Sequence, residues 1–153
     1  MANSDSVAQY YLDSFGNGRI AVVQATALNT TGNAVIAIPF LNGGLTKGSS
    51  AVSSGSVIIR RITVNNPSGS VASANVSITT SNDGNTSNAV VASVALANVT
   101  TTGTYQDLTI ASPYSTTTAV SGLNTSALFV NVNTASGNNN TVTIAVYGDV
   151  VQF

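Results

Sequence analysis

Apolar and polar residues alternate with period two through nearly every segment of this 153-residue chain, and few folds accept that pattern. Successive side chains of a strand point to opposite faces, so alternation marks strands with one buried face and one wet face. Ala74-Val76-Ile78-Thr80 against Asn75-Ser77-Thr79 is one such strand. Leu128-Val130-Val132 against Phe129-Asn131-Asn133, and Val142-Ile144-Val146 against Thr141-Thr143-Ala145, repeat it. Twenty Val and twenty Thr add β-branched side chains, which suit a pleated surface better than a helix.

Five further strands are expected over Ile20 to Leu28, Ala34 to Phe40, Ser56 to Val64, Ala89 to Ala97 and Tyr105 to Ile110, about eight in all. Turn residues separate them. Thr31-Gly32-Asn33 suits a hairpin loop, Asn66-Pro67-Ser68-Gly69 ends a strand because Pro cannot donate to the ladder, and Asn82-Asp83-Gly84-Asn85 tolerates positive φ, as does Gly137 to Asn140. Eight strands in one domain-sized chain predict an all-β, two-sheet sandwich. A jelly roll is the expected arrangement, with an Ig-like sandwich as the alternative.

Two segments depart from the alternation. Residues 1–19 read as an N-terminal arm ahead of a sandwich domain over 20–153. Val7, Tyr11 and Phe15 share a helical face at i, i+4, i+8, or Val7 to Leu12 forms a strand ended by Asn17-Gly18. Residues 42–56, with four Gly and five Ser, predict a flexible loop long enough to carry function.

The outward-facing residues are unusual in chemistry. Fifty-eight residues are Ser, Thr or Asn, and only nine are charged, so the outer surface is largely neutral hydroxyl and amide. A net charge of −1 gives little self-repulsion and favours association with copies or with another large surface. Four cations, Arg19, Lys47, Arg60 and Arg61, fall short of the roughly 6–10 phosphate contacts of a duplex binder, so nucleic acid is not an expected partner. The longest apolar runs, such as Ala34 to Leu41, fall far short of the ~20 residues of a transmembrane helix. If Met1 is the true start, Met1 to Ser6 is not a secretory signal. Synthesis in the host cytoplasm, combined with a composition suited to the outside of a cell, fits a virion component released by lysis.

Chemistry has few carriers here. The chain contains no His, Cys or Trp, and its five carboxylates, Asp5, Asp13, Asp83, Asp107 and Asp149, lie at least eight positions apart. Neither a G-x-S-x-G nucleophile elbow nor a phosphate-cradling P-loop occurs. Asn82-Asp83-Gly84-Asn85 has a single carboxylate, too few for a calcium loop. The expectation is a protein that is not an enzyme, with no catalytic residues, no metal site and no cofactor.

Contact residues are the remaining candidates. Arg60 and Arg61 are consecutive within Val57 to Val64, so strict alternation turns one of them toward the core or its edge. They read either as partners in an interface ion pair with Asp107 or Asp149, or as arginines whose stems lie along the sheet. Tyr10, Tyr11 and Phe15 in the arm, and Leu45 and Lys47 in the Gly/Ser loop, complete the expected protein-contact set. Tyr105, Tyr114 and Tyr147 are scattered along the chain, and packing is favoured for them over a sugar platform.

Several strings carry a resemblance. Ser56 to Pro67 (SVIIRRITVNNP), Thr80 to Asn85 (TSNDGN), Thr104 to Leu108 (TYQDL) and Val146 to Val151 (VYGDVV) resemble capsid decoration, or cement, proteins of tailed phages, nearest those infecting cyanobacteria. The resemblance implies a sandwich or jelly roll, trimeric or clustered knobs on an icosahedral shell, the major capsid protein as partner, and a head reinforced against internal DNA pressure. No site residues carry over. The expected function is therefore a virion structural protein at the capsid surface, binding as a homotrimer. The alternatives are a head-fibre or carbohydrate-binding module, and a self-polymerising pilus or tube subunit.

Overall fold

A computed structural model describes residues 15–39, 55–83, 85, 89–111, 114, 120–121 and 127–152. Nine strands occur among them: β1 (Arg19–Ala27), β2 (Gly32–Pro39), β3 (Gly55–Asn65), β4 (Asn75–Thr79), β5 (Ala89–Ala95), β6 (Gln106–Leu108), β7 (Val120–Ser121), β8 (Ala127–Thr134) and β9 (Thr141–Gln152). All eight segments of period-two alternation contain a strand, and the described residues include no helix. No described helix is long and apolar enough to cross a membrane. The two-residue β7 has too little pattern to be seen in the sequence.

The strands form two antiparallel sheets. The first has the order β1-β9-β3-β6, with β7 pairing the start of β3, and the second has the order β2-β8-β4-β5. The pairings nest: β1 with β9, β2 with β8, β3 with β6, β4 with β5. The chain therefore doubles back at β4 and β5 into one long ribbon. Rolling that ribbon sets β9 beside β3 and β8 beside β4.

The inward positions of both sheets fill one core. Ala21, Ile59, Ile62, Val64, Val142, Ile144 and Val146 of the first sheet share a buried cluster with Ile38, Val76, Ile78, Val90, Val91, Leu128, Val130 and Val132 of the second. Each fully buried Val, Leu or Ile contributes about 1.5–3 kcal/mol of transfer free energy, so this seam is the main source of stability.

One end of the sandwich is closed by paired loops. Val71 N donates to Val99 O at 3.0 Å and Leu96 N to Ala74 O at 3.0 Å, and all four of these side chains are buried. Asn138 and Asn140 brace the same end through Nδ2 bonds to Ser70 O at 2.9 and 3.0 Å. The Gly/Asn turns expected from the sequence thus hold one another.

Register breaks shape the first sheet. Ile59 pairs with Gly148 and Arg61 with Tyr147, which leaves Arg60 as an extra residue, a β-bulge. A second break in β1 places Ala25 at φ 49°, the left-handed region that glycine adopts more easily. Gly55, expected in the loop, and Ser56, expected where loop and strand meet, are the first residues of β3, paired with Gln152 and Val151. The rest of that loop up to residue 54, and residues 1–14 of the expected arm, lie outside the described residues.

Candidate binding surfaces

The bulge at Arg60 decides where the charges go. Without it, Ile59 and Arg61 would face the same way, and the core would receive a guanidinium. With it, Ile59 and Ile62 are both buried while Arg60 and Arg61 both reach the outer surface. The expectation that one arginine turns toward the core or its edge is met differently: the bulge puts both on the outer face, with Arg61 the more covered of the two. The sequence signal was the pair of isoleucines three apart with two charges between them, a spacing that period two cannot satisfy.

Both arginines pair within the chain. Arg60 Nε meets Asp149 Oδ2 at 3.1 Å, and Arg61 Nε meets Asp107 Oδ1 at 2.8 Å. These are the two carboxylates foreseen from sequence. The Arg60–Asp149 pair is exposed and stabilises by only about 0.2–1 kcal/mol, whereas the Arg61 side chain is only 18% exposed. The larger effect of both pairs is to compensate charge on the face that carries them.

Around Arg61 the outer face of the first sheet is aromatic. The Arg61 guanidinium carbon lies 5.6 Å from the Phe15 ring centroid and 5.9 Å from that of Tyr105, within cation–π range. Phe15 is 77% exposed and Tyr105 59%. Beside them runs an open groove of about 490 Å³, lined by β3 (Arg61, Thr63, Asn65), Asn66, the turn Gly103-Thr104-Tyr105, and Tyr147 of β9. The turn is self-bonded: Thr104 Oγ1 accepts from the Thr100 and Thr101 amides at 3.0 and 3.2 Å.

The outer face of the second sheet has a different chemistry. Strands β2, β4, β5 and β8 carry no charged residue. Their amides and hydroxyls bond across strands instead. Asn133 Nδ2 donates to Ser77 Oγ at 3.2 Å and to Ser93 Oγ at 3.0 Å, Ser93 Oγ donates to Asn75 Oδ1 at 2.8 Å, and Asn131 Nδ2 donates to Thr79 Oγ1 at 3.1 Å. Alternation placed these residues outward; only the pairing of β8 with β4, and of β4 with β5, joins them into a lattice.

Of the expected contact residues, Phe15 and Arg61 come together, and Arg60 lies next to them in the chain with its own partner. Tyr10, Tyr11, Leu45 and Lys47 lie outside the described residues. Tyr105 and Tyr147, for which the sequence favours packing over a sugar platform, are brought to one groove by the β3–β9 and β3–β6 pairings, whereas Tyr114 packs against the core. No group of three His, Cys, Asp or Glu able to hold a metal occurs among the described residues. Asp83 accepts the Ser81 hydroxyl and the Asn85 amide, and these bonds, the hydroxyl first, hold its carboxyl below the ordinary value. That geometry is a turn.

Compared with known protein families, curated proteins and solved structures, the chain matches none.

Proposed function

We propose that this chain is a virion structural protein that decorates a phage head, docking on the major capsid protein through the outer face of its second sheet. One observation carries the reading: the four strands of that sheet hold no charge, and Asn75, Ser77, Thr79, Ser93, Asn131 and Asn133 bond to one another across strands, with Asn131 Oδ1 left unpaired. Burial against a protein then desolvates no ion and strands few donors, the two costs that oppose docking. Depletion of charge is also what distinguishes the centre of protein interfaces. The sequence resemblance supplies the partner.

The nested pairing of β1 with β9, β2 with β8, β3 with β6 and β4 with β5 supports a jelly roll, an architecture used by viral capsid proteins.

The size of the face supports clustering. Four strands about 4.8 Å apart and up to eight residues long at about 3.3 Å each span at most roughly 500 Å², and Ser77, Thr79 and Asn131 within that span are already buried in the free chain. A specific interface takes about 800 Å² from each partner, so one subunit binds weakly. Three around a symmetry axis gain by avidity, and the expected solution mass is three times 15.3 kDa.

Ala37 and Ala95 are exposed on this face, paired with Phe129 and Asn75. Ala37→Glu and Ala95→Glu leave folding within about 0.5 kcal/mol of the parent. Each places a charge in the contact and weakens cosedimentation with shells of the cognate major capsid protein at least about tenfold. Equal cosedimentation of both variants and the parent would remove this face from the account.

A further inference from the structure

We propose that the groove on the outer face of the first sheet binds a neutral pyranose glycan. Polar groups without partners line this groove. Thr63 is only 3% exposed, lines the groove, and its hydroxyl has no hydrogen-bond partner. Buried polar groups are almost always paired, so an orphan within a groove lining points to a missing partner. No side-chain hydrogen bond among the described residues engages the Asn65 or Asn66 amide, and both line the same groove. A hydroxyl and two amides offer donors and acceptors together, which is what sugar hydroxyls require.

The rings supply the other half of the chemistry. Tyr105 and Tyr147 line the groove, and Phe15 lies at the Arg61 end. Aromatic faces suit the C–H face of a pyranose, and a phenol adds a polar tip. A groove of about 490 Å³ falls within the size range of small-ligand sites.

Charge selects a neutral ligand. Among the described residues of the lining, Arg61 is the one formal charge, and Asp107 compensates it at 2.8 Å. An anion would gain little from an arginine already paired to a carboxylate. The turn that presents Tyr105 is held before any ligand arrives, by the Thr104 bonds and by Thr102 Oγ1 donating to Pro67 O at 3.3 Å. Such preorganisation lowers the ordering cost of binding. The groove and the proposed docking face belong to different sheets, so a sandwich seated by one presents the other to solvent.

The test is an amide-resonance titration of the ¹⁵N-labelled protein with methyl glucoside, methyl galactoside, methyl mannoside, N-acetylglucosamine, maltose and lactose, each to tens of millimolar. The expected result is saturable shifts for at least one sugar at residues 61–66, 103–105 and 147. Tyr105→Ala weakens that binding about tenfold, the loss of one well-placed aromatic contact. Asn66→Gly weakens it too, and because Asn66 sits at φ 50° this change removes the amide while keeping a conformation glycine accepts. Both variants keep the parent's melting profile, and Ala37→Glu on the other sheet leaves the titration unchanged, which separates this inference from the docking face. Absence of saturable shifts with all six sugars, shifts centred elsewhere, unchanged affinity in Tyr105→Ala, or tighter binding of galacturonate than of methyl galactoside would overturn it.

Discussion

At Gly148 the first sheet leaves no room for a side chain. A Cβ built there would lie 2.0 Å from Ile58 O, a backbone atom that cannot move aside without distorting β3. The Gly148 amide also donates to Gly18 O at 2.8 Å, so β9 is held on both sides at this point. Gly148→Ala is expected to destabilise the protein by about 3 kcal/mol or more, read as a lowered denaturant midpoint, because overpacking here meets backbone and not a flexible chain end. In the sequence the alternation is clean over Thr141 to Val146, and β9 continues beyond it, through Gly148, to Gln152. A single-residue pattern records side-chain polarity but not how closely a neighbouring backbone approaches.

At the scale of elements, the Arg60 bulge sets the phase of β3. Deleting Arg60 removes the extra residue and leaves Ile59 inward, Arg61 outward and Ile62 inward in unbroken alternation opposite Gly148, Tyr147 and Val146. Deletion is therefore expected to keep cooperative folding. Arg60→Ser, which keeps the extra residue and loses one exposed ion pair, costs about 1 kcal/mol or less. Thermal unfolding of the two variants side by side checks this, and a deletion variant that no longer melts cooperatively would contradict it. The eight longer strands were legible because alternation and turn residues agree at each of them. Their partners were not, since any alternating strand can pair with any other; the nested order follows from which apolar faces fit one core.

For the whole molecule, the decisive feature is how charge is partitioned between sheets. Composition alone reveals few charges, and a linear reading scatters them. Folding collects Arg19, Arg60, Arg61, Asp107 and Asp149 on the first sheet and leaves the strands of the second with none. The candidate site was legible to the same degree: Phe15 and Arg61 stood out by residue type, while Tyr105, Tyr147 and the Asn131–Asn133 lattice required strand pairing to acquire meaning. Two outer faces of unlike chemistry suit a protein that rests on one surface and offers another. The most direct test is a cryo-electron-microscopy reconstruction of shells of the cognate major capsid protein incubated with this protein. The account predicts added density in clusters of three, with β2, β8, β4 and β5 against the shell and the Arg61 groove facing outward. Shells with no added density, or subunits seated through the first sheet, would contradict it.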